Sequence, residues 1–202
     1  MSPSPKTSRT NAERSENTRA DLIAAGRILF ARDGYSAVSA EQIVAKAKVT
    51  RGALYHHFGD KRGLFRDVAE AVEADITVRV GESVVGLTSL WDIVLKSSDT
   101  FLDICLEPEF QRIAILDAPS VLGQKEFMDI ADRYGGALLE ALITAMIEAD
   151  EIKPLPVKST ARMLTGALIY GGLVIAEAED QATTREEVGA VVELLLKGLA
   201  GE

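Results

Sequence analysis

Residues 39–61 read SAEQIVAKAKVTRGALYHHFGDK, and this stretch decides the fold of the N-terminal part of the chain. It opens on a capping box, in which the Ser39 hydroxyl accepts the amide of Gln42 while the Gln42 side chain returns to the amide of Ser39. After the short helix that follows, Thr50 is placed to cap a second short helix, which Gly59 ends. Two short helices joined so closely predict a helix-turn-helix.

The second helix of this pair carries the groups that DNA recognition requires. In a helix-turn-helix, its N-terminal residues face base edges in the major groove. Arg51 can donate a bidentate pair to guanine, Thr50 can reach a base or a phosphate, and Gly52 leaves room for the backbone to approach the DNA. Three further donors are suited to phosphate oxygens: Tyr55, His56 and Lys61.

The rest of the chain follows the same helical period. A first helix is expected from about Asn17 to Asp33, and a fourth from Asp60 with Leu64 on its buried side. Beyond Gly81 the apolar residues still recur at three- and four-residue steps, and no stretch alternates as a strand does. The predicted fold class is therefore all-α, with about nine helices and no sheet.

Composition limits the class of protein. The chain has 202 residues, of which 47% are hydrophobic and 26% are charged, so it can bury a core and is neither disordered nor fibrous. Its one cysteine, Cys105, cannot form an internal disulfide. The sequence shows no N-terminal signal and no uninterrupted apolar run of about eighteen residues. We therefore expect a cytoplasmic protein without a membrane segment.

The net charge of −9 argues, taken alone, against a nucleic-acid partner, because phosphates repel an acidic surface. Its distribution changes that inference. Residues 1–66 hold 12 basic and 6 acidic side chains, a net charge of +6, whereas residues 67–202 hold 10 basic and 25 acidic ones, a net charge of −15. Such asymmetry favours a polyanion-binding N-terminal part on an acidic body. Chance clustering on a solvated surface is the alternative that charge alone leaves open.

The motif and its surroundings resemble a known family. The similarity to the DNA-binding region of TetR-family transcriptional regulators covers about residues 17–77. It rests on the run VTRGALYHHFGDK at residues 49–61 and on the flanking residues Phe30, Gly34, Tyr35, Ile43, Leu64 and Phe65. The resemblance implies a homodimer that binds a palindromic operator in double-stranded DNA, usually represses, and is released when a small molecule enters the regulatory domain.

The resemblance also implies roles for single residues. Base contacts fall on Arg51 and Gly52. The positions that contact phosphates in the family correspond to Ser39, Thr50, Tyr55, His56 and Lys61. His57 matches a position that is often histidine in the family, where it can either contact DNA or pack inward.

Residues 1–14 contain no large apolar side chain after Met1, so we expect a flexible basic tail there. The resemblance further implies a DNA-binding domain over residues 15–77 and a regulatory and dimerisation domain over 78–202. Candidate contacts to a largely apolar effector are Trp91, Phe101, Cys105, Phe110, Met128, Tyr134 and Met163. Small and apolar residues of the last two helices form the candidate dimer interface: Gly166, Leu168, Gly171, Gly172, Ile175, Val188, Val192 and Leu195.

Other classes of function remain open at this stage. An enzyme would need a catalytic pair, but no Gly-x-Ser-x-Gly elbow, phosphate loop or His-Glu-x-x-His motif occurs. His56 and His57 point about 100° apart on a helix and have no further ligand at metal spacing, so neither a metal nor a cofactor is expected. A helical protein–protein adaptor would also be a dimer but would not need the basic N-terminal part. A TetR-like activator would have both features.

Overall fold

The computed structural model describes residues 11–200, and in that part of the chain the backbone forms nine helices and no strand. The helices are α1 (Asn11–Asp33), α2 (Ala40–Ala47), α3 (Arg51–Phe58), α4 (Lys61–Ser83), α5 (Leu90–Ile104), α6 (108–122), α7 (124–148), α8 (Val157–Glu177) and α9 (Gln181–Lys197). A short 3-10 turn, Gly198–Ala200, follows α9. The predicted all-α class is confirmed.

Two of these helices contain a π-helical segment, in which backbone hydrogen bonds span five residues instead of four. The segment in α6 is Gln111–Asp117, and the segment in α7 is Asp132–Gly136. Each π turn accommodates an extra residue, and such turns are frequent at functional sites. Both therefore mark places where the interior of the molecule departs from regular helix packing.

The helices divide into two compact units, and the division falls inside α4, between Val68 and Ala69. We call the unit that ends at Val68 the head and the unit that begins at Ala69 the body. The boundary expected from the sequence, between residues 77 and 78, lies in the same helix.

The head is held together by an aromatic cluster. Phe30 of α1 and Phe65 of α4 are fully buried, and their rings meet edge-on with centroids 5.2 Å apart. Tyr35, in the connection to α2, contacts the same Phe65 ring at 5.1 Å. Ile43 of α2 and Leu54 of α3 are also fully buried, so one central side chain anchors each short helix. Burying a side chain of this size stabilises the folded state by about 2 kcal/mol.

The first helix begins earlier than the sequence pattern predicts. A flexible tail is expected over residues 1–14, but residues 11–14 already belong to α1, and residues 1–10 lie outside the described part. The side chains of residues 12–17 are exposed, so no core contact requires this turn. It forms because extending a helix costs far less free energy than starting one. The Thr18 hydroxyl also donates to the carbonyl of Arg14 at 2.9 Å.

In the body, two glycines allow α8 to lie close to its neighbours. A Cβ atom on Gly171 would lie 2.8 Å from Cγ1 of Val188 in α9, and one on Gly172 would lie 2.9 Å from Sγ of Cys105. Both distances are well inside the optimal separation of non-bonded atoms, which is about 3.5 to 4.0 Å. Packing within one chain therefore explains why these two positions hold glycine.

Most residues of the predicted dimer interface also contact the body of their own chain. Six of the eight are buried by the body or contact it: Leu168, Gly171, Gly172, Ile175, Val188 and Val192. Leu168 and Val188 are only half-buried, so the predicted interface stays a prediction. Leu195 is 49% exposed, and the space around Gly166 is open.

A different set of apolar side chains is exposed on the last two helices, which pack against each other. We call this set the outer apolar face; it consists of Met163, Tyr170 and Val174 on α8 and Val191, Leu194 and Leu195 on α9. The α8 members are spaced by seven and four residues, so they share one side of the helix. Exposed apolar surface of this extent is typical of an interaction site.

Among the described helices, α8 is the one whose length and composition would allow it to cross a membrane, with a mean hydropathy of 1.3. No such helix was expected from the sequence, because Arg162 interrupts the apolar run. Length and composition are weak indicators, since a helix from the core of a water-soluble protein passes the same test. Here Ala161, Gly172 and Ile175 of α8 are buried within the body.

Candidate functional site

The first candidate site is the exposed side of α3. This helix is anchored by Leu54 and Phe58, which are buried, and by Thr50, whose side-chain oxygen accepts the amide of Ala53 at 3.3 Å. Ser39 caps α2 through the predicted capping box, which is confirmed. Each cap hydroxyl accepts one bond and keeps its own hydrogen to donate to a phosphate oxygen.

Arg51 is the first residue of α3, and two neighbours hold its guanidinium in place. One nitrogen lies 2.8 Å from a carboxylate oxygen of Glu41 on α2, and another donates to the Tyr55 hydroxyl at 3.1 Å. The guanidinium also stacks on the Tyr55 ring, 5.4 Å from its centroid. The hydrogen bond to Tyr55 raises the pKa of Arg51 further above its ordinary value, and the charges nearby add to this. The side chain is 62% exposed, so its positive charge is accessible to DNA.

The other predicted contacts on α3 differ in how far they reach into solvent. Tyr55 is 41% exposed, and His56 is exposed. A side chain at Gly52 would meet open space, with Thr50 Oγ1 the nearest atom at 3.9 Å, so the helix surface is flat at this point. His57 is half-buried with its ring 6.1 Å from that of Phe58, which places it on the inner side of the helix.

Lys61 has contacts inside the head in addition to the role that the resemblance implies. Its Nζ atom donates to the carbonyl of Tyr35 at 2.9 Å and to that of Val38 at 2.8 Å, and it lies 4.0 Å from the centroid of the Tyr35 ring. Two of the three ammonium hydrogens are thus used inside the head, and partial burial lowers the pKa of Lys61. Lys61 therefore ties the start of α4 to the connection between α1 and α2, while its contact with a phosphate stays a prediction.

The turn between α3 and α4 sets the direction in which α3 points. Asp60 accepts the amide of Gly63 at 2.7 Å and so caps α4. A Cβ atom on Gly63 would lie 2.0 Å from the carbonyl oxygen of Phe58, so no residue with a side chain fits there. The end of α3 and the start of α4 are therefore fixed to each other through backbone contact.

The second candidate site is a cavity inside the body. It has a volume of about 70 Å³ and is lined by residues of α4, α5, α6, α7 and α8. Two rings in its wall, Phe101 and Phe110, meet edge-on with centroids 5.7 Å apart. Both π segments contribute to the wall, through Ala114, Ile115 and Gly135. An enclosed and mostly apolar space with a few polar groups is typical of a small-molecule site.

Five polar side chains interrupt this apolar lining: Glu73 and Thr77 of α4, Ser97 and Ser98 of α5, and Thr165 of α8. The hydroxyls of Thr77 and Ser98 donate to the carbonyls of Glu73 and Val94 in their own helices. The hydroxyls of Ser97 and Thr165 are buried and have no hydrogen-bond partner in the described part of the chain. Burial raises the pKa of Glu73 to about 7. Because buried polar groups in folded proteins are nearly always paired, this unused hydrogen-bonding capacity calls for an explanation.

Comparison with known proteins places both parts of the chain in one family. Residues 22–68 match the model of bacterial regulatory proteins of the tetR family. Residues 91–199, more than half of the chain, match the model of the tetracyclin repressor-like C-terminal domain. The chain belongs to the TetR family. It is therefore a transcriptional regulator, and its helix-turn-helix is a DNA-binding unit.

Other TetR-family proteins resemble it along most of its length. A crystal structure of a TetR-family regulator from Pectobacterium atrosepticum has a TM-score of 0.82 and 34% identity, and covers 96% of this chain and 99% of that one. The transposon Tn10 TetC protein of Escherichia coli is 28% identical over 162 residues, 78% of this chain and 80% of TetC. The transcriptional repressor AcnR of Corynebacterium efficiens is 31% identical over 118 residues, 54% of this chain and 61% of AcnR.

In this TetR-family body, the structure brings two of the seven predicted effector residues to the cavity, namely Phe101 and Phe110. The other five lie outside its described lining: Trp91, Cys105, Met128, Tyr134 and Met163. Trp91 lines a separate surface groove with Leu95, and Met163 is 76% exposed on the outer apolar face. Cys105 is fully buried against Gly172, and burial raises the pKa of its thiol, so it is an unreactive packing residue.

The polar groups of the cavity were not among the predicted effector contacts, although the sequence contained a signal for them. Glu73 lies four residues after Ala69 and three before Ile76, both of which are buried. A carboxylate at that spacing falls inside the apolar stripe of its helix. Ser97 and Thr165 interrupt the buried stripes of α5 and α8 in the same way.

Proposed function

We propose that this chain is a cytoplasmic repressor that binds a palindromic operator as a homodimer and is released by a small, largely apolar effector. The observation that carries this proposal is the exposed guanidinium of Arg51 at the start of α3, held by Glu41 and Tyr55. Arginine in this position of a recognition helix is suited to a bidentate contact with guanine in the major groove.

Binding to DNA requires Arg51 to exchange one set of acceptors for another. In the free protein, the carboxylate of Glu41 occupies one side of its guanidinium, and both side chains are more than 60% exposed. Because an exposed ion pair of this kind contributes little free energy, Arg51 can leave Glu41 for a base at low cost. Ser39, Thr50 and His56 would then donate to the phosphates that fix the position of the helix on the duplex.

The outer apolar face of α8 and α9 is the surface that we propose for dimerisation. Its exposed side chains include Tyr170 at 67% and Leu194 at 70%. A two-fold axis would let the same face meet itself and would cover these side chains. The recognition helices of the two protomers would then need to stand about 34 to 36 Å apart to enter successive major grooves, which predicts a palindromic operator.

The cavity is the proposed effector site, and α4 is the proposed link to the head. This one helix contributes Leu64 and Phe65 to the core of the head and Glu73 and Ile76 to the lining of the cavity. An effector that favours a different position of α4 would change the spacing of the two recognition helices. It can shift that equilibrium only by its difference in affinity for the two conformations.

A gel shift with the DNA upstream of the protein's own gene tests operator binding. We expect a discrete complex that survives an excess of random DNA and weakens steeply as salt increases. Binding that random DNA abolishes would contradict the proposal. A reporter under the same upstream DNA then separates repression from activation, since a repressor lowers its output and an activator raises it.

Sedimentation tests the dimer. The wild-type chain should sediment as a dimer at micromolar concentration, and Leu194→Glu should produce monomers because it places a charge in the centre of the outer apolar face. Val85→Glu is the matched control, since Val85 is 81% exposed in the connection between α4 and α5. A wild-type monomer, or a Leu194→Glu variant that remains dimeric, would remove the proposed interface.

A further inference from the structure

The cavity of the body contains two hydroxyl groups without partners. Ser97 and Thr165 are each 6% exposed, and neither side-chain oxygen forms a hydrogen bond within the described part of the chain. Ser98 lines the same cavity but is satisfied, because its hydroxyl donates to the carbonyl of Val94 at 2.9 Å. A serine can thus be buried here with its hydroxyl satisfied, whereas the hydroxyls of Ser97 and Thr165 have no partner among residues 11–200.

Glu73 adds a carboxylate to the same space. Among the described residues that line the cavity, it is the one ionisable side chain. The thiol of Cys105, directly after α5, interacts electrostatically with Glu73, and burial keeps this thiol neutral. Arg185 of α9 also acts on Cys105, but its guanidinium is paired with the carboxylates of Asp99 and Asp103. Burial alone accounts for the raised pKa of Glu73, and no cation of the described residues offsets it.

We infer that the effector is an apolar molecule that carries one protonated amine, and that its ammonium group binds Glu73 with the help of Ser97 and Thr165. This inference rests on the proposed effector-released repression and specifies the chemistry of the same cavity. An ammonium group has three donors and no acceptor. It can therefore donate to one carboxylate and two hydroxyl oxygens, and the cavity lining supplies the carboxylate of Glu73 and the two unpaired hydroxyls of Ser97 and Thr165.

Charge decides between an amine and the other polar groups that an apolar ligand could carry. A carboxylate ligand would place a second negative charge beside Glu73, which both burial and repulsion oppose. An alcohol could donate one hydrogen bond but would leave the charge of Glu73 uncompensated in an apolar space. The rings of Phe101 and Phe110 suit the apolar part of the ligand and can also face a cation.

Calorimetric titration of the wild-type dimer with two matched sets of probes tests this inference. The sets are benzylamine, benzyl alcohol and benzoate, and phenethylamine, phenethyl alcohol and phenylacetate. We expect at least one of the two amines to bind, and to bind about tenfold or more tightly than its alcohol and its acid, because a charged hydrogen bond is stronger than a neutral one.

Two variants on one helix separate the role of Glu73 from general effects. Glu73→Gln keeps the shape of the side chain and removes its charge, so amine affinity should fall about tenfold or more. Glu82→Gln changes an exposed carboxylate on the same helix and should leave the affinity unchanged. Thr165→Val removes an unpaired hydroxyl, so it should weaken amine binding while the protein unfolds at the same or a higher temperature. That last readout shows that the variant is folded.

The pH dependence of binding provides an independent readout. Glu73 must be ionised to pair with an ammonium group, and its pKa of about 7 means that it is largely protonated at lower pH. Amine affinity should therefore rise from about pH 6 to about pH 8, with release of a proton, and this rise should disappear in Glu73→Gln.

Three results would overturn the inference: no binding by either amine, equal binding by an amine and its alcohol, or amine binding that Glu73→Gln leaves intact. None of these results depends on DNA. If an amine binds as expected but does not release the protein from its upstream DNA, the proposed effector-released repression fails instead. The two failures are therefore distinguishable.

Discussion

The head and the body treat their polar groups in opposite ways. In the head, the charged groups of the recognition surface are exposed and already paired, as Arg51 is with Glu41 and Tyr55. In the body, Ser97 and Thr165 are enclosed and unpaired. An exposed pair can exchange partners at little cost, whereas an enclosed unpaired group gains most from one ligand that fits. The head is thus suited to bind DNA at its surface, and the body is suited to bind a small molecule in its cavity.

The largest expected effect is the loss of stability when the hydrogen bonds of Lys61 inside the head are removed. Lys61→Met keeps the aliphatic stem but removes the hydrogen bonds to the carbonyls of Tyr35 and Val38. Two charged hydrogen bonds are lost, so the free energy of unfolding should fall by about 3 kcal/mol. Denaturant unfolding measures this loss. Lys46→Met, on an exposed position of α2, is the control and should change stability by about 0.5 kcal/mol or less.

The same variant also tests whether Lys61 touches DNA. At a temperature where Lys61→Met is folded, its salt dependence of DNA binding should match that of the wild type. A slope shallower by about one would show that Lys61 neutralises a phosphate after all.

Gly172 tests how tightly the body is packed beside its cavity. Gly172→Ala would place a methyl group 2.9 Å from the sulfur of Cys105 and 3.1 Å from Cδ1 of Ile115, so we expect a loss of about 2 kcal/mol in the free energy of unfolding. Gly81→Ala is the matched control, because it lies in α4 with nothing within 4 Å of its Cβ position. That change should raise stability by about 0.5 to 1 kcal/mol. Equal effects at the two positions would refute close packing at Gly172.

Arg51 tests whether the exposed pair in the head reads sequence. Arg51→Ala should weaken binding to the cognate operator about tenfold and leave binding to random DNA much less affected. The control is Arg32→Ala, since Arg32 is exposed near the end of α1 and pairs with its neighbour Asp33. Competition gel shifts compare the two. If Arg51→Ala lowers the affinity for cognate and random DNA equally, Arg51 contacts phosphates and not bases.

The last prediction concerns the stability of the body as a function of pH. Burial raises the pKa of Glu73 from 4.5 to about 7, so between these values the folded state holds more protons than the unfolded one. Stability should therefore fall as pH rises through this window, by at most about 1.4 kcal/mol per pH unit. Glu73→Gln should flatten this slope in thermal melts, whereas Glu82→Gln should keep it. A slope that is equal in all three proteins would show that Glu73 is hydrated.

The head could be predicted from the sequence because its functional residues are local. The capping box at Ser39, the cap at Thr50 and the exposed side of α3 all depend on spacing within 23 residues, and each forms as expected. The structural role of Lys61 was not predicted, because its partners are the backbone carbonyls of Tyr35 and Val38. Carbonyl groups occur at every residue, so no sequence pattern marks the two that a distant ammonium group will contact.

The body was predicted only as a set of helices. Its cavity depends on how five helices meet, and hydrophobic periodicity shows which side of a helix is buried but not which neighbour covers it. Gly171 and Gly172 show this limit of prediction from sequence. Small residues predict that another helix approaches closely, and sequence alone does not distinguish a helix of the same chain from one of a partner.

The π segments of α6 and α7 change the phase of those helices. Each residue of a helix turns the direction of the next side chain by about 100°, so one extra residue in a turn redirects everything that follows it. The three- and four-residue spacing that predicts the buried side of α7 therefore no longer applies in register after Asp132. A one-residue insertion or deletion at either segment would rotate a whole wall of the cavity without altering the spacing of any residue in the head. Such a change could alter which ligand the cavity binds while the DNA-contacting residues of the head stay the same.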